Sequence, residues 1–248
     1  MSTQDLTHIL FLDIETASGS DQYQNMDERL RYHWDRKAGF LKNPDELSSE
    51  DMYFDRAGIF AEFGKILTIA VGYLSLDPSG ALGLRVKAFA DHDEKQLLLD
   101  FKHLVENKFD QSVLKLCAHN GREFDFPYIC RRMLIQGIPL PDIFDVSSRK
   151  PWEIPFIDTM DLWKFGDRKN FTSLDLLATL FDIETSKDDI DGSMVNQVYY
   201  HENGLDRIAE YCKKDIVVTA QLFLKLKSLP KISDENITIL WGRTLLDK

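Results

Sequence analysis

The segment HILFLDIET near the amino terminus constrains the fold more than any other. Over His8–Ile14 an extended chain sends Leu10, Leu12 and Ile14 to one side. Ile9, Phe11 and Asp13, followed by Glu15, go to the other. Apolar side chains on both sides need cover on both sides, so the segment reads as a central strand held between two layers. Two carboxylates on one face of such a strand are costly unless something cationic meets them.

The remaining elements follow from periodicity and turn chemistry. Lys65–Leu76 and Leu84–Phe89 are apolar, β-branched runs joined by Asp77-Pro78-Ser79-Gly80, which predicts a hairpin. Asp91–Lys108 has helical spacing through Leu97, Leu98, Phe101, Leu104 and Val105. Val113–Ala118 reads as a short buried strand, and Phe126–Gln136 as a helix ended by Gly137 and Pro139. A further strand is expected at Phe156–Asp158, and helices at Ser173–Phe181 and Gly204–Lys227. Gln22–Glu62 is polar and helix-leaning, an insertion between the first two strands; residues from about 229 onward form a short tail, started by Pro230 and open to a helical reading. Strands and helices in this order predict one α/β domain over 1–248 with a mixed sheet.

Composition narrows the setting. Of 248 residues, 44% are hydrophobic and 29% charged, ordinary for a soluble globular chain. No apolar run approaches the roughly 18 residues of a membrane span, and the start lacks the basic region of a secretory signal. Cys117, Cys130 and Cys212 lie singly in apolar segments, so they are expected to be small core residues in a reducing cytoplasm.

Four acidic residues stand in settings that suit a cage for hard divalent cations: Asp13 and Glu15, Asp125 in HNGREFDFPYI, and Asp215 in YCKKD. Each motif alone is weak. Asp-x-Glu arises by chance about 1.5 times in this composition and occurs twice, both as Asp-Ile-Glu-Thr, at 13–16 and 182–185. The second copy follows an amphipathic stretch and runs into an acidic loop, so its acids read as a solvated helix end. Tyr211 and Asp215, spaced i and i+4, share one helix face. That face is apolar, where an aspartate either snorkels or meets a partner. Asp125 precedes Phe126-Pro127 and would also serve as a plain helix N-cap.

Together the blocks LDIET (12–16), HNGREFDFPYI (119–129) and YCKKD (211–215) resemble, in order, those of the DEDD superfamily of 3′–5′ exonucleases. The likeness is to the tyrosine branch, and within it to the proofreading exonuclease domain of family B DNA polymerases. It runs over roughly residues 5–228, including Glu62–Ile66 and Asp191–Ser193. A histidine-type member would carry His five residues before Asp215, where this chain has Glu210. The chain looks like a stand-alone bacterial relative of that domain.

The resemblance implies an RNase H-like fold with a mixed five-stranded sheet flanked by helices. It implies two Mg²⁺ or Mn²⁺ ions, with Asp13 bridging both, Glu15 and Asp215 completing the first, and Asp125 holding the second largely through water. Tyr211 would orient the attacking water. Thr16 and Asn120 match positions that contact the terminal nucleotide, and Phe124 would pack on its base or sugar; turn geometry and core packing explain these three equally well. The implied substrate is a single-stranded or frayed 3′ end, DNA in preference to RNA, in DNA repair. A polymerase or helicase would act in trans, and no membrane is involved.

A net charge of −11 speaks against tight grip on duplex nucleic acid. Two dications would neutralise the four site carboxylates, and salt screens the rest beyond about 8 Å. Local grip on a short end is compatible with this. Arg122/Arg131/Arg132, Arg149/Lys150, Lys164/Arg168/Lys169 and Lys213/Lys214 are candidate phosphate contacts, each also readable as a solvated face. His119 reads as structural. Two rival readings are an exoribonuclease and a non-catalytic docking module that keeps only the fold.

Overall fold

The computed structural model describes residues 3–167, 171–185 and 190–240. In chain order, α1 (Thr3–Leu6) leads into β1 (Ile9–Ser18), then α2 (Glu28–Ala38) and α3 (Ser49–Arg56). The hairpin β2 (Gly64–Leu76) and β3 (Leu82–Ala90) precedes α4 (Glu94–Lys108), β4 (Lys115–Ala118) and α5 (Asp125–Ile135). β5 (Phe156–Asp158) runs directly into α6 (Thr159–Lys164), followed by α7 (Leu174–Leu180), α8 (Val195–Glu202), α9 (Leu205–Leu226) and β6 (Ile237–Ile239).

Among the described residues the strands form one sheet in the order β5-β4-β1-β2-β3-β6. β1 is antiparallel to β2 and parallel to β4, and β4 is parallel to β5. The sheet is mixed and flanked by helices, with six strands where five were expected. The extra strand, β6, corrects the helical reading of the tail: it pairs parallel to β3 through only three residues, Leu84↔Ile237 to Val86↔Ile239. Residues 241–248 of the tail lie outside the described residues.

β1 is covered on both sides as its sequence requires. Leu10, Leu12 and Ile14 pack with Leu98 and Phe101 of α4 and with Phe126, Ile129 and Met133 of α5. Ile9 and Phe11 pack on the other side with Cys212, Ile216, Ala220 and Phe223 of α9. The Phe11 and Phe223 rings meet edge to face at 5.7 Å. α9 approaches the sheet so closely that a Cβ on Gly72 of β2 would sit 2.5 Å from Ile216 Cγ2. Glycine at 72 is what lets this helix settle on β2.

The insertion folds as α2 and α3 around its own aromatic cluster of Trp34, Tyr53 and Phe63. Trp34 Nε1 donates to Ser49 O at 2.7 Å, and Tyr128 of α5 ties the insertion to the core by donating to Gly58 O at 2.8 Å. α6 and α8 were not anticipated. At six and eight residues they make too few turns for a periodic signal.

Candidate active site

The topology gathers the chemistry at one end of the sheet. β1, β4 and β5 run parallel, with Phe11 beside Cys117 and Ala118 beside Asp158. The later residues of β1, the loop after β4 and the start of α6 therefore share the carboxyl-terminal edge, where open α/β sheets receive ligands. Asp13 and Glu15, two apart on β1, face α9. The register between β1 and β2 slips between Glu15 and Thr16. Such a bulge re-aims the side chains beside it.

α9 supplies the opposing wall. Tyr211 and Asp215, one helical turn apart, lie together, and the tyrosine hydroxyl is hydrogen-bonded to the Asp215 carboxylate. Between them Cys212 donates its thiol to Asp13 Oδ2 at 3.1 Å. Asp125 enters from the first turn of α5. Its Oδ1 accepts the Ile14 N–H at 3.1 Å, just beyond the point where the β1–β4 ladder ends. This carboxylate is the first helical residue, with Phe124 in the cap position and no side-chain cap there. The plain N-cap reading of Asp125 is thus replaced by a buried contact with β1.

These carboxylates feel one another. Burial foremost, then the charges of Asp215, Asp125 and Glu15, pushes Asp13 well above the ordinary carboxylate range. Burial, then Asp215 and Asp125, does the same to Glu15. Burial also lifts Asp125 to about 7, against the opposing pull of backbone N–H groups. Burial and then the Asp215, Glu15 and Asp13 charges push Tyr211 far above a normal phenol, so its hydroxyl keeps its proton at neutral pH. Glu15 is 8% exposed, and among the described residues it has no hydrogen-bond or ion-pair partner. A buried, mutually repelling all-oxygen set of this kind fits a hard dication such as Mg²⁺ or Mn²⁺.

In the metal-free protein the raised Asp125 has a definite sign. The folded state holds a proton that the unfolded chain releases near pH 4, so stability falls as pH rises from about 4 towards 7. Asp125→Asn removes that titration. Without metal, the melting temperature of the variant is expected to drop less than wild type's between pH 5 and pH 8. Equal drops in a paired thermal melt would refute the assignment.

The expected substrate contacts lie at this rim in more structural roles. The Thr16 hydroxyl is bonded to that of Tyr128. Asn120 sits in the left-handed region at φ 63°, which asparagine tolerates, and its N–H donates to Asp158 Oδ1 at 2.9 Å. Phe124 is half-buried against Tyr128, ring centroids 5.4 Å apart. His119 is structural: its Nε2 donates to Thr172 O at 2.9 Å, which leaves Nδ1 to accept from Thr159 Oγ1 at 2.9 Å. Burial lowers its pKa and keeps the ring neutral.

Two residues were missed. Asp158 is buried and accepts N–H groups from Asn120, Arg122, Met160 and Asp161, tying the loop before Asp125 to the start of α6. An aspartate just before a helix start is its only sequence mark. Cys212 packs in the core as its apolar segment predicts, and what was missed is that its thiol also donates to Asp13.

Several candidate phosphate contacts are committed elsewhere. Arg132 is buried in a two-pronged ion pair with Glu94, at 2.8 and 2.5 Å. Lys213 is buried and pairs with Glu210 at 2.5 Å, and Arg122 donates to Phe156 O. Arg168 and Lys169 lie outside the described residues. The second Asp-Ile-Glu-Thr behaves as expected: Asp182 and Glu184 are exposed beyond α7 while Ile183 packs inward.

Residues 61–237 match a family described as a predicted 3′–5′ exonuclease related to the exonuclease domain of PolB. The chain belongs to this family. The matched span contains Asp125, Tyr211 and Asp215, and β1 with Asp13 and Glu15 precedes it. The family B DNA polymerase from the hyperthermophilic archaeon Pyrobaculum calidifontis has a similar fold, with a TM-score of 0.52 at 16% identity. That likeness covers 88% of this chain but only 24% of the polymerase, so the chain spans about a quarter of that protein's length. No curated protein matches with significance. The mixed sheet flanked by helices is of the RNase H-like kind found in PolB exonuclease domains. Among the described residues no helix is long and apolar enough to cross a membrane.

Proposed function

We propose that this member of the PolB-related exonuclease family cleaves the last phosphodiester at the 3′ end of single-stranded or frayed DNA, releasing nucleoside 5′-monophosphates. The observation that carries the reading is the convergence of Asp13, Glu15, Asp125 and Asp215, with Tyr211, from three separate elements. Asp13, Glu15, Asp125 and Asp215 would hold two Mg²⁺ or Mn²⁺ ions. When bound, such a pair stabilises the attacking and leaving oxygens of an in-line displacement.

The chain's own residues do the rest. Asp13 and Glu15 are fixed by the central strand, so the metal-binding oxygens are preorganised rather than recruited from loops. Asp125 is held by the Ile14 N–H, and the loop before it is held by Asp158. Tyr211 stays protonated and donates to Asp215, orienting a ligand carboxylate and leaving the oxygen's second lone pair for a water. Tyr211→Phe should therefore lower kcat by about ten- to a hundredfold, the usual cost of losing an outer-shell partner. KM should change little. An unchanged kcat would remove Tyr211 from the mechanism.

The experiment is digestion of 3′-labelled and 5′-labelled DNA and RNA oligomers with Mg²⁺ or Mn²⁺. Label released as mononucleotide from the 3′ end of DNA is the expected result. Release from RNA alone would shift the reading to an exoribonuclease. No release from either would leave only a docking role for the fold.

A further inference from the structure

We propose that Cys212, Asp13 and Glu15 form a mixed sulfur–oxygen site for a thiophilic dication, Zn²⁺ or Cd²⁺, which competes with Mg²⁺ or Mn²⁺ for the acidic cluster. The competition rests on the functional reading above; the site itself rests on geometry. The Cys212 sulfur and one carboxylate oxygen from each acid all lie within 4.8 Å of one another. Donors around a tetrahedral zinc with its usual bond lengths sit about 3.5 Å apart, so modest side-chain rotations close the group around an ion.

Two further observations point to a ligand. Cys212 is fully buried, yet its thiol is aimed at Asp13, with Sγ 3.1 Å from Oδ2 and 3.5 Å from the main-chain oxygen. A merely space-filling cysteine would have no need of that direction. Glu15, nine-tenths buried, points into the same cluster with no hydrogen-bond or ion-pair partner among the described residues. The other two cysteines behave differently. Cys117 lies in the β4 ladder beside Phe11, and Cys130 lies on α5 against the opposite core.

The chemistry is selective because sulfur is soft. Mg²⁺ and Mn²⁺ favour carboxylate and water oxygens, whereas thiolates favour zinc-like ions. Coordination would replace the S–H bond by a metal–sulfur bond, with the proton released to solvent. Three protein donors would leave a fourth position open. An ion held there would occupy Asp13 and Glu15, the same oxygens that the hydrolytic reading assigns to its ions.

The test uses the full chain, freed of metal and titrated with CdCl₂, with Cys212→Ser, Cys130→Ser and Glu15→Gln alongside. The readouts are the ultraviolet sulfur-to-cadmium charge-transfer band and the rise in melting temperature. The band should grow in wild type and Cys130→Ser and be absent in Cys212→Ser, whose melt without metal reports that it still folds. Cd²⁺ affinity should fall on the order of tenfold or more in Glu15→Gln. A band that survives Cys212→Ser would overturn the proposal. A cadmium-induced stabilisation without any band would also overturn it, while leaving an oxygen-only cage and the hydrolytic reading standing. No stabilisation by Cd²⁺ or Mn²⁺ in any protein would remove both.

Discussion

Asp13→Ala is expected to lower the hydrolytic rate by a factor on the order of a thousand or more, with the fold retained. A thousandfold loss is about 4 kcal/mol of transition-state stabilisation, in keeping with removal of a group that holds the charges facing the reacting phosphate. Asp13 is connected across the cluster. It lies on the central strand, accepts the Cys212 thiol, and feels Asp215, Asp125 and Glu15. The substitution also removes one of several repelling buried acids, so the metal-free variant should melt no lower than wild type. Single-turnover digestion of labelled DNA beside a thermal melt measures both effects. A variant that folds and retains full activity would show that the site lies elsewhere.

Glu94→Ala should destabilise the protein by about 3–5 kcal/mol, because it strands a buried guanidinium. Glu94 opens α4 and lies 6% exposed. It accepts two bonds from Arg132, one from the Ile66 N–H and one from Gln136. Arg132 also donates to Ala61 O at 2.8 Å, so the pair joins α4, α5, β2 and the end of the insertion. For a chain of this length the loss amounts to a drop in melting temperature of roughly 10 °C. The double variant Glu94→Leu/Arg132→Met should recover most of that loss, because an apolar pair of similar volume carries no uncompensated charge. Urea unfolding of the singles and the double measures the coupling. Ile66 pairs with Thr16 just past the bulge in β1, so activity should fall with stability. If Glu94→Ala unfolded within 1 kcal/mol of wild type, roughly the strength of an exposed ion pair, the pair would not be holding these elements together.

Much of this architecture was legible in the residues. The two-sided apolar pattern of β1 required layers above and below, and α5 and α9 supply them together with α4. The hairpin β2–β3 and the long α9 followed from turn chemistry and helical spacing. The four acids and Tyr211 could be chosen because an aspartate on the apolar face of α9 needs a reason, and Asp13 and Glu15 offered one.

What escaped depended on tertiary placement. Arg132 looks like a solvated charge in GREFDFPYICRR until α4 brings Glu94 against it. Cys212 looks like a filler until α9 settles on β2 at Gly72 and turns the thiol towards Asp13. Asp158 carries no mark of its importance beyond preceding a helix, since its partners Asn120 and Arg122 are 38 and 36 residues away. β6 is a β-branched run of three residues, too short for its alternation to stand out from the tail.

The most direct measurement is calorimetric titration of the metal-free protein with Mn²⁺, wild type against Asp13→Ala. Saturable uptake of two ions by wild type, with at least one lost in the variant and a matching rise in wild-type melting temperature, is the predicted result. Heats indistinguishable from dilution in wild type, or identical uptake in both proteins, would contradict the account.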